Sequence, residues 1–192
     1  HIMKKILLSI FALSTLVVTA QNNVSTTPEN KNAVLEEFTG IYCGYCPDGH
    51  KLAQQFHDAN PSDVVLINVH AGSYADPNGG DPDFRTAFGA ALASQSGVCG
   101  YPAGTINRID FTSYGWNQTG QNCTASTAMS RGEFDDAGNI VLTQSSPVNM
   151  WGNAVIDLGT NTLTVDVEVY YTGNQTVNSN KLNVAVLQNN VE

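Results

Sequence analysis

Glu36-Glu37-Phe38-Thr39-Gly40-Ile41-Tyr42-Cys43-Gly44-Tyr45-Cys46-Pro47 is the stretch whose reading decides the fold. It opens inside an apolar run over residues 33–38 that reads as a strand, bounded by Thr39-Gly40. Beyond the two cysteines, Leu52, Ala53, Phe56 and Ala59 recur at helical spacing. A Cys pair between a strand and a helix stands at a helix N-terminus. There the free backbone amides and the helix dipole favour a thiolate on the first Cys. That gives Cys43 the role of nucleophile and Cys46 the role of resolving thiol, with exchange passing through a mixed disulfide on Cys43. Two alternatives use the same residues. One is an inert structural disulfide. The other is zinc, completed by His50, His57 or His70, because zinc accepts this Cys spacing. No second close Cys pair supports the zinc site. Glu37 stands six residues before Cys43, where a carboxylate lies partly buried beneath the pair and relays a proton for the resolving thiol. The alternative is a surface carboxylate, since of the neighbours Glu36 and Glu37 one is expected to face outward.

Working outward, Val64 to Val69 is a short apolar run of the kind that forms a strand buried on both faces. Residues 73–82 form a loop, and residues 84–93 a second helix with Phe84, Phe88 and Ala91 on one face. Strand, helix, strand, helix implies an α/β layer. Residues 103–109 read as another strand. Pro102 follows Gly100-Tyr101, and X-Pro bonds are where cis peptides occur. Proline has no N–H, so Gly100 and Tyr101 before it can offer backbone groups to a partner chain; an ordinary turn is the alternative. If Cys43 pairs with Cys46, Cys99 and Cys123 remain. A bridge between them is worth about 3–4 kcal/mol on the chain-entropy estimate, against a less favoured catalytic role for Cys99. Asp76, Asn78, Asp81 and Asp83 make an acidic loop that departs from calcium-loop spacing, so it reads as solvated.

Residues 112–129 read as one helix. From Gly138 the period drops to two. Residues 162–170 alternate as a strand with one wet face does, residues 154–158 precede them across a hairpin turn, and residues 182–187 supply a third strand. Residues 138–192 are therefore expected to be part of an antiparallel β domain. Three or four strands make only one layer, so the chain is expected to be truncated.

The first twenty residues read as processing. His1-Ile2 is a tag remnant before Met3, Lys4-Lys5 a positive region, residues 6–18 an apolar core and Val18-Thr19-Ala20 a cleavage site, together a signal peptide. The apolar run is shorter than the roughly 20 residues that span a bilayer. Residues 21–32 are a polar linker. The exported product works where disulfides persist. Acidic residues number 17 against 8 basic, for a net charge of −9 and no basic run, which argues against nucleic acid and anionic membranes as partners. With 42% hydrophobic residues the chain is not of disordered type, and 192 residues make one large domain or two small ones. No cofactor and no metal is expected.

Phe38, Cys43-Gly44-Tyr45-Cys46 and Gly97-Val98-Cys99-Gly100-Tyr101-Pro102 together resemble a thioredoxin-like domain. The resemblance implies that Glu37 is the buried acid and Pro102 a cis proline facing the Cys pair. It makes Cys43, Cys46, Glu37 and Pro102 catalytic, and Tyr45, Tyr101 and Gly100 substrate-binding. The domain covers residues 33–130, with an insertion at residues 73–93 that could shape or cover the Cys pair. A Cys99–Cys123 bridge would pin the proline loop. More closely, Glu36-Glu37-Phe38-Thr39-Gly40, Cys43 to Pro47, Tyr101-Pro102-Ala103-Gly104-Thr105-Ile106-Asn107-Arg108 and Ser145-Ser146-Pro147-Val148-Asn149 resemble the outer membrane protein 28-related family of exported bacterial proteins, over about residues 33–192. That implies a periplasmic, outer-membrane-associated or secreted location. The expected function is thiol–disulfide oxidoreductase or isomerase chemistry on protein or peptide dithiols and disulfides. The alternative is a non-catalytic surface or binding protein with a structural disulfide. An unfinished sheet edge invites homodimerisation.

Overall fold

The computed structural model describes residues 23–120, 122–174 and 179–189. The signal-peptide reading of residues 1–20 lies outside them. The chain divides into two compact units, Glu29–Ser146 with Gln175–Glu192, and Pro147–Asn174 with the residues up to Pro28.

In the first unit a short strand β1 (Glu29–Asn30) leads to β2 (Ala33–Thr39), α1 (Cys46–Ala59) and β3 (Val64–His70). β2 and β3 run parallel, in register from Ala33 with Val64 to Thr39 with His70. A 3₁₀ turn at Ser73–Ala75 and helix α2 (Ala87–Ser96) precede β4 (Ala103–Ile106), β5 (Asn117–Gly120) and β6 (Cys123–Ser130). Helix α3 (Phe134–Leu142) follows, and β7 (Ser145–Ser146) returns to pair with β1. The five-stranded sheet has the order β3-β2-β4-β6-β5, with β4 antiparallel to both β2 and β6.

Helix α1 carries Pro47 in its first turn, where a missing N–H costs nothing. It buries Cys46, Gly49, Ala53 and Phe56, a stripe at helical spacing. Helix α2 starts where the Thr86 hydroxyl accepts the Gly89 amide at 2.9 Å and stops at Gly97 in the left-handed conformation. Leu35, Phe56, Ile106, Met129, Phe134 and Val141 share one core cluster, which brings together the sheet, α1 and α3. Phe38, Val69, Ala93, Ala103 and Ala128 share a second, with α2. Leu35 and Phe38 belong to different clusters because side chains alternate along a strand. By the same parity Glu37 points to the α1 side and Glu36 to the other.

Helices α1 and α3 touch where Gly138 meets the Phe56 ring, and a Cβ at Gly138 would collide with it. That ring is fully buried and cannot retreat. Gly138→Ala would gain about 1 kcal/mol of helix propensity. Overpacking costs about 1–3 kcal/mol, so a net loss of up to about 2 kcal/mol is expected in urea unfolding, with the slope unchanged.

Several sequence expectations are corrected. β3 is an edge strand with Val65 exposed, not a strand buried on both faces. Phe88 is the most exposed large side chain of α2, whose buried positions are Gly89, Ala93 and Ser96. Asn117–Gly120 and Cys123–Ser130 are the paired strands β5 and β6 rather than helix. Helix α3 occupies the place where strand alternation was expected from Gly138. Residues 182–187 are in neither helix nor strand. Glu36 does not face solvent but is buried against Arg108, which donates from Nη2 at 2.5 Å and from Nε at 2.8 Å.

The second unit is a two-stranded ribbon, β8 (Val148–Asp157) against β9 (Thr162–Tyr171), in continuous antiparallel register. Its turn is set by Asp157, whose carboxylate accepts the amides of Gly159 and Thr160. The preceding segment lies along it. Glu168 accepts the Asn23 and Val24 amides, and the Asn149 side chain donates to the carbonyls of Ser25 and Thr27. Among the described residues no helix is long and apolar enough to cross a membrane.

Candidate functional site

Cys43 and Cys46 are joined by a disulfide, with Cα atoms 5.4 Å apart. β2 delivers the chain to Gly40, whose Cα faces the Tyr74 backbone too closely for any side chain. From there a tight turn, closed by the Cys43 amide on the Gly40 carbonyl at 3.0 Å, sets the pair at the start of α1. The exposure is graded: Cys43 keeps 8% and Cys46 1%.

The segment between β3 and α2 lies beside this turn. The Tyr42 amide donates to the Tyr74 carbonyl at 3.0 Å, and the Tyr42 hydroxyl donates to Asp81. Two acidic residues of this segment, Asp76 and Asp83, serve it internally. Arg85 binds both Asp76 and Asp83, and its guanidinium and backbone amide hold the Asp83 carboxyl down at about 2.

Glu37 is 1% exposed on the α1 side of the sheet. Its Oε2 shares a hydrogen bond with His50 Nδ1 at 2.9 Å, and its Oε1 is buried without a partner. The His50 Nε2 pairs with the Thr39 hydroxyl at 3.2 Å. The hydrogen bond to Glu37 raises the His50 imidazole above its ordinary range, against the opposing effect of burial. His70, across the register from Thr39, is lowered, first by burial and then by the charge on His50.

The Tyr101–Pro102 peptide bond is cis. A Cβ at Gly49 would lie within 2.9 Å of the Pro102 ring and closer still to Glu37 Oε1. Gly49 sits one turn after Cys46, on the same face of α1. Cys46, Glu37 and Pro102 therefore converge on the first turn of that helix, and only glycine leaves room between the last two.

Other residues stand apart from this convergence. Tyr101 is half-buried, with its hydroxyl against Gly72 and its ring edge-on to Tyr74 at 5.9 Å; burial raises its phenol. The Gly100 carbonyl accepts from Gln118 Nε2 at 3.3 Å, and the same side chain accepts the Cys99 amide at 3.0 Å. Cys99 and Cys123 are joined by the second disulfide, so side chain and bridge together tie the proline loop to the β5–β6 hairpin. Tyr45 is exposed. Arg131 places its guanidinium 5.7 Å from the Tyr45 ring centroid and donates to Asp48 at 2.6 Å.

Sequence reasoning missed His50 as the partner of Glu37, and it missed Arg131 and Gln118. His50 had a signal: it lies four residues after Cys46, one turn along the same face of α1. Nothing local points to Arg131 or Gln118, which reach the site from the far end of the sheet.

The architecture is a thioredoxin-like core followed by additional antiparallel β structure, with a Cys-x-x-Cys disulfide at the helix N-terminus. No known family profile and no curated protein matches the chain. Among solved structures it is similar to HBP35 of Porphyromonas gingivalis, at 17% identity and a TM-score of 0.45, over 66% of this chain. The chain spans 38% of that protein.

Proposed function

We propose that the chain is an exported thiol–disulfide exchange protein acting through Cys43 and Cys46. One observation carries this reading: the disulfide stands at the N-terminus of α1, one turn before Gly49, which borders a buried carboxylate with one oxygen left unpartnered. In the oxidised state, a substrate thiolate attacks Cys43 Sγ, breaks the Cys43–Cys46 bond and forms a mixed disulfide. Cys46 leaves as thiolate and takes a proton from Glu37. A second substrate thiolate then displaces Cys43, so the substrate is oxidised by two electrons. The reverse sequence reduces a substrate disulfide. In this reading the cis Pro102 borders the substrate chain, Tyr45 and Tyr101 flank it, and the Cys99–Cys123 disulfide is structural. The motif resemblance supports membership of the outer membrane protein 28-related family, with a periplasmic, outer-membrane-associated or secreted location.

The slight exposure of Cys43 favours a second reading, a structural bridge in a binding protein. Measuring the reduction potential of the pair, with thiol alkylation followed against pH, separates the two. Exchange chemistry predicts a potential of about −120 to −270 mV and a Cys43 thiol well below about 8.5. A potential below about −300 mV with a sluggish thiol would instead mark a structural bridge.

A further inference from the structure

Glu37 is sealed from water, yet its proposed task requires it to gain and lose a proton in every cycle. Its Oε1 lies beside Gly49, one turn after Cys46, and its Oε2 is bonded to His50 Nδ1 at 2.9 Å. His50 is 39% exposed, whereas Glu37 is 1% exposed. The ring therefore bridges the buried carboxylate and solvent. We propose that His50 is the relay that carries the proton between Glu37 and water during the step at Cys46, a role that rests on the exchange reading above.

In the reducing direction the Cys43 thiolate attacks a substrate disulfide, forms the mixed disulfide and expels one substrate thiolate. Cys46 then gives its proton to Glu37 as its sulfur attacks Cys43 Sγ. The Cys43–Cys46 bond forms, and the second substrate thiolate leaves and is protonated by water. Two electrons have passed to the substrate, and Glu37 is left as the neutral acid. With the ring's own hydrogen on Nε2, Nδ1 takes that proton through the shared hydrogen bond to Glu37, and the Nε2 proton passes to water. A carboxylic acid trapped without such an exit resets slowly, because solvent cannot reach it.

The groups around His50 are consistent with a titrating relay. Glu37 and Thr39 face it from β2, and Asn68 and His70 act on it from β3. Arg131, from the turn before α3, is engaged with Asp48. Helix α3 meets α1 through the apolar pair Gly138 and Phe56, and its Asp135 and Asp136 are exposed. Glu37 is thus the carboxylate bonded to the ring, and its hydrogen bond holds the imidazole above its usual range.

The test is single-turnover exchange between the reduced full chain and a peptide disulfide, followed from pH 5 to 9, with both the mixed disulfide and its resolution recorded. The wild type is expected to resolve faster as pH rises, through one inflection that coincides with the His50 titration seen by NMR. His50→Asn keeps a donor for Glu37 but does not titrate. It is expected to lose the inflection and to resolve about 10-fold more slowly at pH 7, less than the roughly 10²–10⁴-fold of a direct general acid or base because His50 acts through Glu37. Formation of the mixed disulfide should stay within about twofold, since proton release acts after that step. A His50→Asn protein with a wild-type profile overturns the relay and leaves the exchange reading standing. A wild type that forms no mixed disulfide overturns both. Should His50→Asn fail to fold, the wild type still decides: a kinetic inflection more than about one pH unit from the NMR midpoint overturns the relay.

Discussion

Cys46→Ser is expected to convert the protein into a trap, and Cys43→Ser to silence it. The two sulfurs share a disulfide but not an environment: Cys43 keeps some exposure, and Cys46 has almost none. An incoming thiolate must approach in line with the S–S bond, so the sulfur nearer water is the one attacked. With Cys43 present and Cys46 replaced, a mixed disulfide forms but has no intramolecular thiol to resolve it. Incubation with a disulfide peptide should leave a covalent adduct on Cys43, visible by mass spectrometry and lost on reduction. With Cys43 replaced, the remaining thiol belongs to the buried Cys46. Exchange should fall by about 10³-fold or more, the scale of removing a nucleophile from a site whose groups act together. Equal trapping by both single variants would contradict the assignment of roles, because it would mean that burial does not discriminate between the sulfurs. The Cys99–Cys123 pair provides the internal control. It closes a loop between residues 24 apart in sequence, and an adduct on either of its sulfurs would point to adventitious chemistry.

The strand–Cys-x-x-Cys–helix order and the α/β core were legible because each is local. Periodicity identified β2, and the later part of α1 from Leu52. The first turn of α1 was hidden because its buried positions are Cys46 and Gly49, which do not look apolar in a pattern of Leu and Phe. Helix α3 buries Phe134, Ala137, Gly138 and Val141 at helical spacing, but Gly138-Asn139 read as the start of a β region. The β5–β6 hairpin was misread because its small Ala, Ser and Thr residues suit either state until a neighbouring strand decides. Residues 182–187 show the converse. Alternation is a demand for a partner strand, and a sequence cannot show whether the partner is there. The site followed the same division. The Cys pair and Glu37 lie on adjoining elements, so their proximity could be anticipated. The links from Arg131 and Gln118 depend on how distant strands stack, which no local pattern encodes.

The pairing of Glu36 with Arg108 leads to the largest expected loss of stability. Sequence logic asked one of two adjacent glutamates to face water, and neither does. Each is buried on its own face of β2 and each has a basic partner, His50 for Glu37 and Arg108 for Glu36. Arg108 grips Glu36 with two parallel N–H donors, from a position just after β4 where both Asn107 and Arg108 have positive φ. That turn is held by Asn107, which accepts the Val34 amide at 2.6 Å and donates to the Asn32 carbonyl at 2.8 Å. Arg108→Ala would leave a carboxylate buried with neither counter-charge nor donors. Breaking a buried pair costs about 3–5 kcal/mol. Arg108 is itself 32% exposed against 6% for Glu36, so water can reach the vacated space and the expected loss is about 2–4 kcal/mol. Equilibrium urea unfolding would register it as a lowered midpoint at constant slope. The paired change Glu36→Leu with Arg108→Leu should recover most of the loss, since an apolar pair leaves no charge stranded. If the single and double variants lose the same amount, the destabilisation comes from the strained turn and not from the carboxylate. Arg108→Gly then separates the causes further, because glycine relaxes the positive φ by about 1 kcal/mol while still abandoning Glu36. A charge-dominated loss requires the glycine variant to remain clearly less stable than the double leucine.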